Sequence, residues 1–479
     1  MLLEWKQPIA VWWLRPFPYL SPNYLPTSKQ LSMGAFHAYD IRGVYNRDFD
    51  KHTAYQIGYH LVGQLATSRV LVGRDARVSS DEIFEHLSRG INDAGADVYD
   101  AGLCTTPMVY YATAKHGFHS SVMITASHNP REYNGMKFSR VHALPMGYAD
   151  GLNAIEELIK MNTPTPPQAS RGCIKPFDII KEYIDFQKSF IDDFANLKVG
   201  IDCSNGMAGL IARDILGNAP LYIFEELDGN FPNHSPNPLD PENVRDLQRL
   251  VRANGCEVGV IFDGDADRVM FVDENARFIP PDLMIALLGH HFLEGKGIRG
   301  KVLQDIRTSK AVGEYLAPMG AEVHTWRVGR AFAAQKLREI DGIFGGELAG
   351  HYYFKDFYYS DSGMLACILL LNVIARMKRE GTSLSQAIAR IETYANSGEI
   401  NFRIEDKKGA MDRVRNHFIS QEAATAIMDF DGYRVEFPNW WFNIRPSNTE
   451  PYLRFIAEAK SQSMLNEKLA IVREILKDF

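Results

Sequence analysis

Short β-branched runs alternate with stretches of helical period along most of this chain. "VLVG" from Val70 predicts a strand. "SSDEIFEHLSRGINDAG" then sets Ile83, Phe84, Leu87 and Ile91 on one helical face behind a Ser-Ser cap. "ADVYDAG", "TTPMVYYATAKHG" and "SVMITA" continue as strand, helix and strand. The order recurs from Lys198 through "KVGID", "NGMAGLIARDIL", "PLYIFE", "PENVRDLQRLVRANG" and "EVGVIFD". It recurs again from Lys301 through "KVLQDI", "TSKAVGEYLAPMG", "AEVHTWRV", "RAFAAQKLREID" and "GIFGG". Strands alternating with helices imply right-handed crossovers and largely parallel sheets. The expected fold is therefore α/β: three similar βαβαβ-containing domains with mixed or parallel sheets, around a central cleft. From about Ser397 the pattern changes to that of a smaller C-terminal α+β domain. "NTPTPPQASRG" has linker composition. The expected boundaries are 1–32 for an N-terminal extension outside the core, then 33–172, 173–280, 281–392 and 393–479 for four domains.

In each repeat the third strand runs into a polar loop: "TASHNP", "DGDADR" and "GGELAGH". Ligands of open α/β sheets sit outside the carboxyl ends of strands, so three equivalent loops can meet in one cleft. The competing reading is three unrelated turns. In "DGDADR", Asp263, Asp265 and Asp267 alternate, and on an extended loop such residues share a face. Carboxylates that close repel one another unless a cation joins them. An EF-hand is excluded, because Arg268 stands where its turn needs glycine and strands flank the loop. Three carboxylates without a soft ligand suit Mg²⁺ better than zinc, the alternative being a solvated acidic turn.

"RPSNTEP" offers Arg445 as a bidentate fork, with Ser447, Asn448 and Thr449 as neutral donors. It reads equally as ordinary turn and cap chemistry. "GGELAGH" presents Glu347 and His351 from a glycine frame, where they could grip sugar hydroxyls or move a proton. Ser127 lacks the Gly-x-Ser-x-Gly elbow of a hydrolase. Adjacent side chains on an extended segment point opposite ways, so a Ser127–His128 dyad is not expected. His128 is left as a loop residue or a phosphate contact. The remaining reading is a serine that carries a phosphoryl group, one oxygen of which completes a Mg²⁺ shell.

Composition narrows the classes. At 479 residues, 46% hydrophobic and 23% charged, the chain is long enough for several globular domains. A net charge of −7 lacks the basic excess of a nucleic-acid binder. No apolar run approaches the roughly 20 residues of a membrane-spanning helix. Five scattered cysteines without a CxxC pair indicate free thiols in a reducing compartment, the cytoplasm. "VWWLRPFPYLSPNYLP" superficially resembles a signal peptide, but Glu4 precedes it and Pro8 and Pro16 bracket it. Met33 is the alternative start.

Taken in order from "FHAYDIRG" onward, "TASHNP", "DGDADR", "GGELAGH" and "RPSNTEP" resemble the α-D-phosphohexomutase family over the chain after its N-terminal extension. The resemblance implies a phosphoserine at Ser127, Mg²⁺ on Asp263, Asp265 and Asp267, and sugar recognition by the loop of Glu347 and Ala349. It implies phosphate anchoring by Arg445, Ser447, Asn448 and Thr449 in a mobile fourth domain. Proton-transfer or charge-stabilising roles carry over to Arg42, Lys137 and His351. Arg268 would temper the acidic cluster, and Tyr39 and His128 would contact substrate. The substrate would be a small hexose phosphate and the intermediate a hexose 1,6-bisphosphate, on a monomer or homodimer. "SNTEP" resembles the phosphomannomutase and phosphoglucomutase branches, and "HYYFKDFYYSDSG" looks most like the former. Many relatives have serine at the position of Ala349, which keeps glucose or dual specificity open. A Mg²⁺-dependent phosphomonoesterase and a non-catalytic sugar-phosphate binder are the competing classes.

Overall fold

The structure, a computed structural model, describes residues 34–447 and 451–479. The expected extension 1–32 and the donors Asn448 and Thr449 lie outside the described residues. Among those described, the strands form four sheets. In the first, Arg69–Arg74 pairs in parallel with Asp97–Leu103 and Ser120–Ile124, and Ser120–Ile124 pairs antiparallel with Tyr133–Arg140. The second repeats this with Val199–Asp202 between Leu221–Ile223 and Val258–Phe262, followed by antiparallel Val269–Asp273. The third repeats it again with Gly300–Asp305 between Ala321–Trp326 and Phe344–Gly346, followed by antiparallel Tyr352–Phe354. Each motif loop thus joins the third strand of its unit to an antiparallel return strand. That hairpin geometry fixes where the loop's side chains begin.

The C-terminal unit is built differently. Ala395–Asn396, Leu453–Ala459, Trp440–Pro446, Tyr433–Glu436 and Ala426–Met428 lie side by side, backed by helices Lys407–Gln421 and Gln462–Leu476. It has its own core around Trp440, Phe442 and Phe455. One large core runs through the first three units, with helices Pro281–Phe292 and Gly363–Arg379 sunk into it, and each of these units adds a separate cluster of its own. Both are buried on nearly every face, which removes the polar stripe that would mark a surface helix. No described helix is long and apolar enough to cross a membrane.

Three expectations change. Ile174–Pro176, beyond the expected boundary at 172, pairs with Asp97–Leu103 as the edge strand of the first sheet. "NGMAGLIARDIL" is not one helix but a turn at Met207–Leu210 and a five-residue helix Ala212–Leu216. Gly209 explains the break, because a Cβ there would sit 2.0 Å from the Glu225 carbonyl oxygen. Helix Ser80–Asp93 forms with Ile83, Leu87 and Ile91 buried, but Ser79 makes no capping bond. Its hydroxyl accepts from Asn134 instead, and that of Ser80 donates to Asp75.

Candidate active site

The hairpin after Ser120–Ile124 and the hairpin after Val258–Phe262 approach each other until backbones touch. A Cβ at Gly264 would lie 2.5 Å from the Ser127 carbonyl oxygen, so only glycine permits this approach. The contact places the Ser127 hydroxyl 2.9 Å from Asp263 Oδ2, to which it donates. Ser127 is 1% exposed and Asp263, Asp265 and Asp267 are fully buried.

One oxygen from each of the three aspartates lies within 4.8 Å of the others. Lys137, on the return strand Tyr133–Arg140, donates to Asp265 Oδ2 at 2.6 Å and to Asp267 Oδ2 at 2.5 Å. Thr106 donates to the same Asp265 oxygen. Asp265 Oδ1 and Asp267 Oδ1 are buried without a hydrogen-bond partner among the described residues. A buried carboxylate oxygen left so is costly. Oxygen-only donors, two of them orphaned, fit a hard divalent cation. Burial, reinforced by Asp265 and Asp267, pushes the Asp263 carboxyl well above the usual carboxylate range. Burial opposes the charge on Lys137, but Asp265 and Asp267 outweigh it and hold the ammonium above its ordinary value.

Ser127 and His128 are in contact, contrary to expectation. His128 Nδ1 lies 3.2 Å from the Ser127 hydroxyl. The reason is the backbone: Ser127 has φ +51°, a left-handed conformation rather than an extended one. Burial, with Arg268, Arg42 and Lys137 nearby, holds the imidazole well below its ordinary pKa. Among the described residues no carboxylate bonds the far side of this ring, so nothing orients it as in a hydrolytic triad.

Strand Ile41–Val44 brings Arg42 in opposite Gly135, where a side chain would collide with the Ile41 carbonyl. Arg42 donates to Asp40 at 2.5 Å and to Asn129 at 2.9 Å. Tyr39 donates to the Val328 carbonyl and packs edge-on against Phe332. Arg268 donates through Nε to His351 Nε2 at 3.0 Å, and His351 Nδ1 meets Asp361 Oδ2 at 2.7 Å. A guanidinium can only donate, so His351 Nε2 accepts and the ring proton sits on Nδ1, facing Asp361. Both nitrogens are thereby occupied. Glu347 accepts from the Gly329 amide at 2.7 Å and from Tyr353 at 3.2 Å, and burial raises its carboxyl pKa.

Ser127, Lys137, Asp267, Arg268, Glu347 and His351 line one cleft of about 870 Å³, with Asp263 and Asp265 buried behind its wall. It reaches Ala349 in the third unit and Arg445 and Ser447 in the fourth. Arg445 is 3% exposed, and among the described residues its Nε and Nη1 have no hydrogen-bond partner. Burial, and then Arg307, draw its pKa below the ordinary value.

The motifs left several residues unmarked. Arg307 lines the cleft, held by two hydrogen bonds to Asp305. Arg330 also lines it, bonded to Asp361 and stacked 3.6 Å from the Tyr110 ring centroid. Both follow the first or second strand of the third repeat, so the carboxyl-end rule applied to every strand would have found them.

Comparison with known proteins agrees along the chain. Residues 33–165, 180–276 and 280–394 match the models of phosphoglucomutase/phosphomannomutase alpha/beta/alpha domains I, II and III, and residues 399–475 that of the C-terminal domain. A phosphomannomutase of Methanocaldococcus jannaschii is 35% identical over 448 residues, covering 92% of this chain and 97% of its own. Proteins named phosphohexose mutases in Xanthomonas campestris pv. campestris are 36% identical over 449 residues, covering 91% of this chain and 97% of theirs. The crystal structure of a phosphoglucomutase/phosphomannomutase family protein from Burkholderia thailandensis superposes with a TM-score of 0.80 at 28% identity, covering 94% and 98%. The four matched domains and the named relatives together define the class of the enzyme as an isomerase of the mutase type. The chain belongs to the α-D-phosphohexomutase family and is a phosphohexomutase.

Proposed function

We propose that this enzyme interconverts mannose 6-phosphate and mannose 1-phosphate through a phosphoserine at Ser127 and a hexose 1,6-bisphosphate intermediate. The observation that carries the reading is the Ser127 hydroxyl, 2.9 Å from Asp263, in a cleft whose lining also includes Arg445. The name phosphomannomutase among relatives at about one-third identity supports the choice of sugar.

Asp263, Asp265 and Asp267 would hold Mg²⁺, which when bound neutralises charge on the phosphoryl oxygens. The sugar phosphate enters with its phosphate against Arg445 and Ser447, where the orphaned guanidinium N–H groups donate to its oxygens. The sequence adds Asn448 and Thr449 as further candidate donors beside Ser447. The free sugar hydroxyl then faces phosphoserine. As its oxygen bonds to phosphorus, the P–Oγ bond breaks, and the hydroxyl proton is returned to Ser127. The bisphosphate turns over, and its other phosphoryl group passes back to Ser127 by the reverse step.

Lys137, held charged by its aspartates, stabilises the transferring group rather than taking a proton. Arg42 adds charge on the other side. His128 contacts the serine oxygen, while His351 and Asp361 hold Arg268 in place. Glu347 and Tyr39 border the sugar space, and Ala349 leaves room where a hydroxyl would add a contact. The five free cysteines, four of them buried, support a reducing compartment, the cytoplasm.

The test is a side-by-side rate comparison on mannose 1-phosphate, glucose 1-phosphate and glucosamine 1-phosphate with trace hexose 1,6-bisphosphate. Mannose 1-phosphate is expected to be fastest, with phosphate conserved. A faster rate on glucose 1-phosphate would replace the sugar assignment, and stoichiometric release of inorganic phosphate would replace the reaction.

A further inference from the structure

We infer that Arg77, which lies outside the cleft lining, is the positioning residue for the loop that carries the phosphoryl group. It follows strand Arg69–Arg74 of the first sheet and is 3% exposed. Its guanidinium has five N–H groups, and each has an acceptor. Nη2 donates to the carbonyl oxygens of Ser127 at 2.9 Å and Asn129 at 2.7 Å. Nη1 donates to those of Pro130 at 2.7 Å and Tyr133 at 3.1 Å. Nε donates to Asp75 Oδ2 at 3.1 Å. Asp75 is itself fixed by the Ser80 hydroxyl at 2.7 Å and by the Arg77 amide at 3.1 Å.

One rigid plane therefore collects four carbonyls from a loop whose serine has a left-handed backbone. A carbonyl bonded to Arg77 fixes the rotation of its peptide plane, and that of Ser127 sets the direction of its side chain. The other face of the guanidinium lies 4.9 Å from the Phe231 ring centroid. Phe231 opens the second-unit segment whose Ser235 and Asn237 line the cleft and whose Pro236 packs near Gly264. Arg77 thus holds the serine loop and leans on the segment beside the aspartate loop. It touches neither the sugar phosphate nor the phosphoryl group.

The role rests on the reading of Ser127 as the phosphoryl carrier. When the carrier is charged from a hexose 1,6-bisphosphate, the P–O bond to the sugar breaks as the P–Oγ bond forms. The serine proton ends on the sugar oxygen. That displacement requires the Ser127 oxygen in line with phosphorus, and misplacement by about 1 Å costs on the order of 10²-fold. Loss of Arg77 should therefore lower kcat and the rate of Ser127 phosphorylation, and leave KM for the sugar phosphate nearly unchanged.

The experiment follows single-turnover phosphorylation of Ser127 by intact mass, alongside kcat, KM and Tm, in full-length wild type, Arg77→Lys and Arg77→Ala. Lysine keeps the charge but cannot span four carbonyls. It is expected to slow phosphorylation by roughly 30- to 100-fold, while KM moves by less than about threefold. Added guanidinium ion at low millimolar concentration should restore part of the rate in folded Arg77→Ala and none in wild type. If Arg77→Ala does not fold, Arg77→Lys and Phe231→Leu decide, the latter expected to show the same kcat-only loss in weaker form. The inference is overturned if Arg77→Lys phosphorylates Ser127 at the wild-type rate, or if its loss only tracks the folded fraction. Failure of wild type itself to take up a phosphoryl group would overturn the carrier reading, and the role of Arg77 with it.

Discussion

Two buried cations line the cleft, one from the first unit and one from the fourth, and they are treated in opposite ways. Lys137 is closed off, with Asp265 and Asp267 both within 2.6 Å of its ammonium. Arg445 is open: Nε and Nη1 are buried and bonded to nothing among the described residues. A buried charge without a partner is expensive, so its persistence points to an anion that arrives from outside. The difference separates two tasks. On the proposed mechanism, the transferring side would need fixed charges and a fixed oxygen, whereas the anchoring side would receive and release a phosphate in two orientations.

The largest effect expected is at the transferring side. Ser127→Ala should lower turnover by roughly 10³-fold or more, the scale of losing a nucleophile, while far-ultraviolet circular dichroism and Tm stay near wild type. Near-normal turnover in a folded Ser127→Ala protein would remove the carrier. Asp265→Asn is expected to follow, with a loss of roughly 10²- to 10³-fold. Chelation of wild type should abolish turnover and Mg²⁺ restore it; activity that survives chelation would break the metal assignment.

At the anchoring side, Arg445→Ala should act chiefly on KM, raising it by about 10- to 100-fold, since a charge-assisted anchor is lost from ground and transition state alike. Inorganic phosphate should raise the Tm of wild type more than that of the variant. An unchanged KM would show that the open guanidinium is not the anchor.

A smaller effect concerns how the fourth unit is docked. Asp282 is buried beside Glu458 of that unit, with Ser309 donating to both. Burial first, and then Glu458, raise the Asp282 pKa to about 7. A carboxyl raised in the folded state binds its proton more tightly there than when unfolded. Its contribution to stability is therefore largest at acid pH and is lost as pH rises from about 4 to 7. Relative to Asp282→Asn, wild type should lose roughly 1–4 kcal/mol of stability across that window. Denaturant melts at several pH values measure it, and parallel pH profiles would refute it. Ala349→Ser should change the mannose-to-glucose rate ratio by less than about tenfold, which tests whether this position tunes the sugar contact.

The same comparison marks what could be read from the sequence. The three repeats and their loops were legible because period-two and period-3.6 patterns alternate cleanly. The aspartate triad was legible as a cluster of carboxylates, but the loop is not extended as expected: the Ala266 amide closes a turn on the Asp263 carbonyl with Ala266 at φ +60°, and that turn brings the three carboxylates together. The contact between Gly264 and the Ser127 carbonyl was not, since it joins residues 137 positions apart through space. Nor was the left-handed backbone at Ser127, which reverses the argument about His128. Helices Pro281–Phe292 and Gly363–Arg379 carry no amphipathic stripe to read, because neither has a solvent face of any width. Arg77 and Arg307 act through backbone and carboxylate partners that only the folded chain supplies.

The measurement that bears most directly on the central claim is a single-turnover transfer experiment. The enzyme is first charged with hexose 1,6-bisphosphate and then mixed with mannose 1-phosphate. Phosphate on Ser127 and inorganic phosphate in solution are followed together. The account predicts one phosphoryl group on Ser127, lost to the sugar at the rate of turnover without release of inorganic phosphate. A Ser127 peptide that never carries phosphate, or one that loses it to water as fast as to sugar, would contradict it.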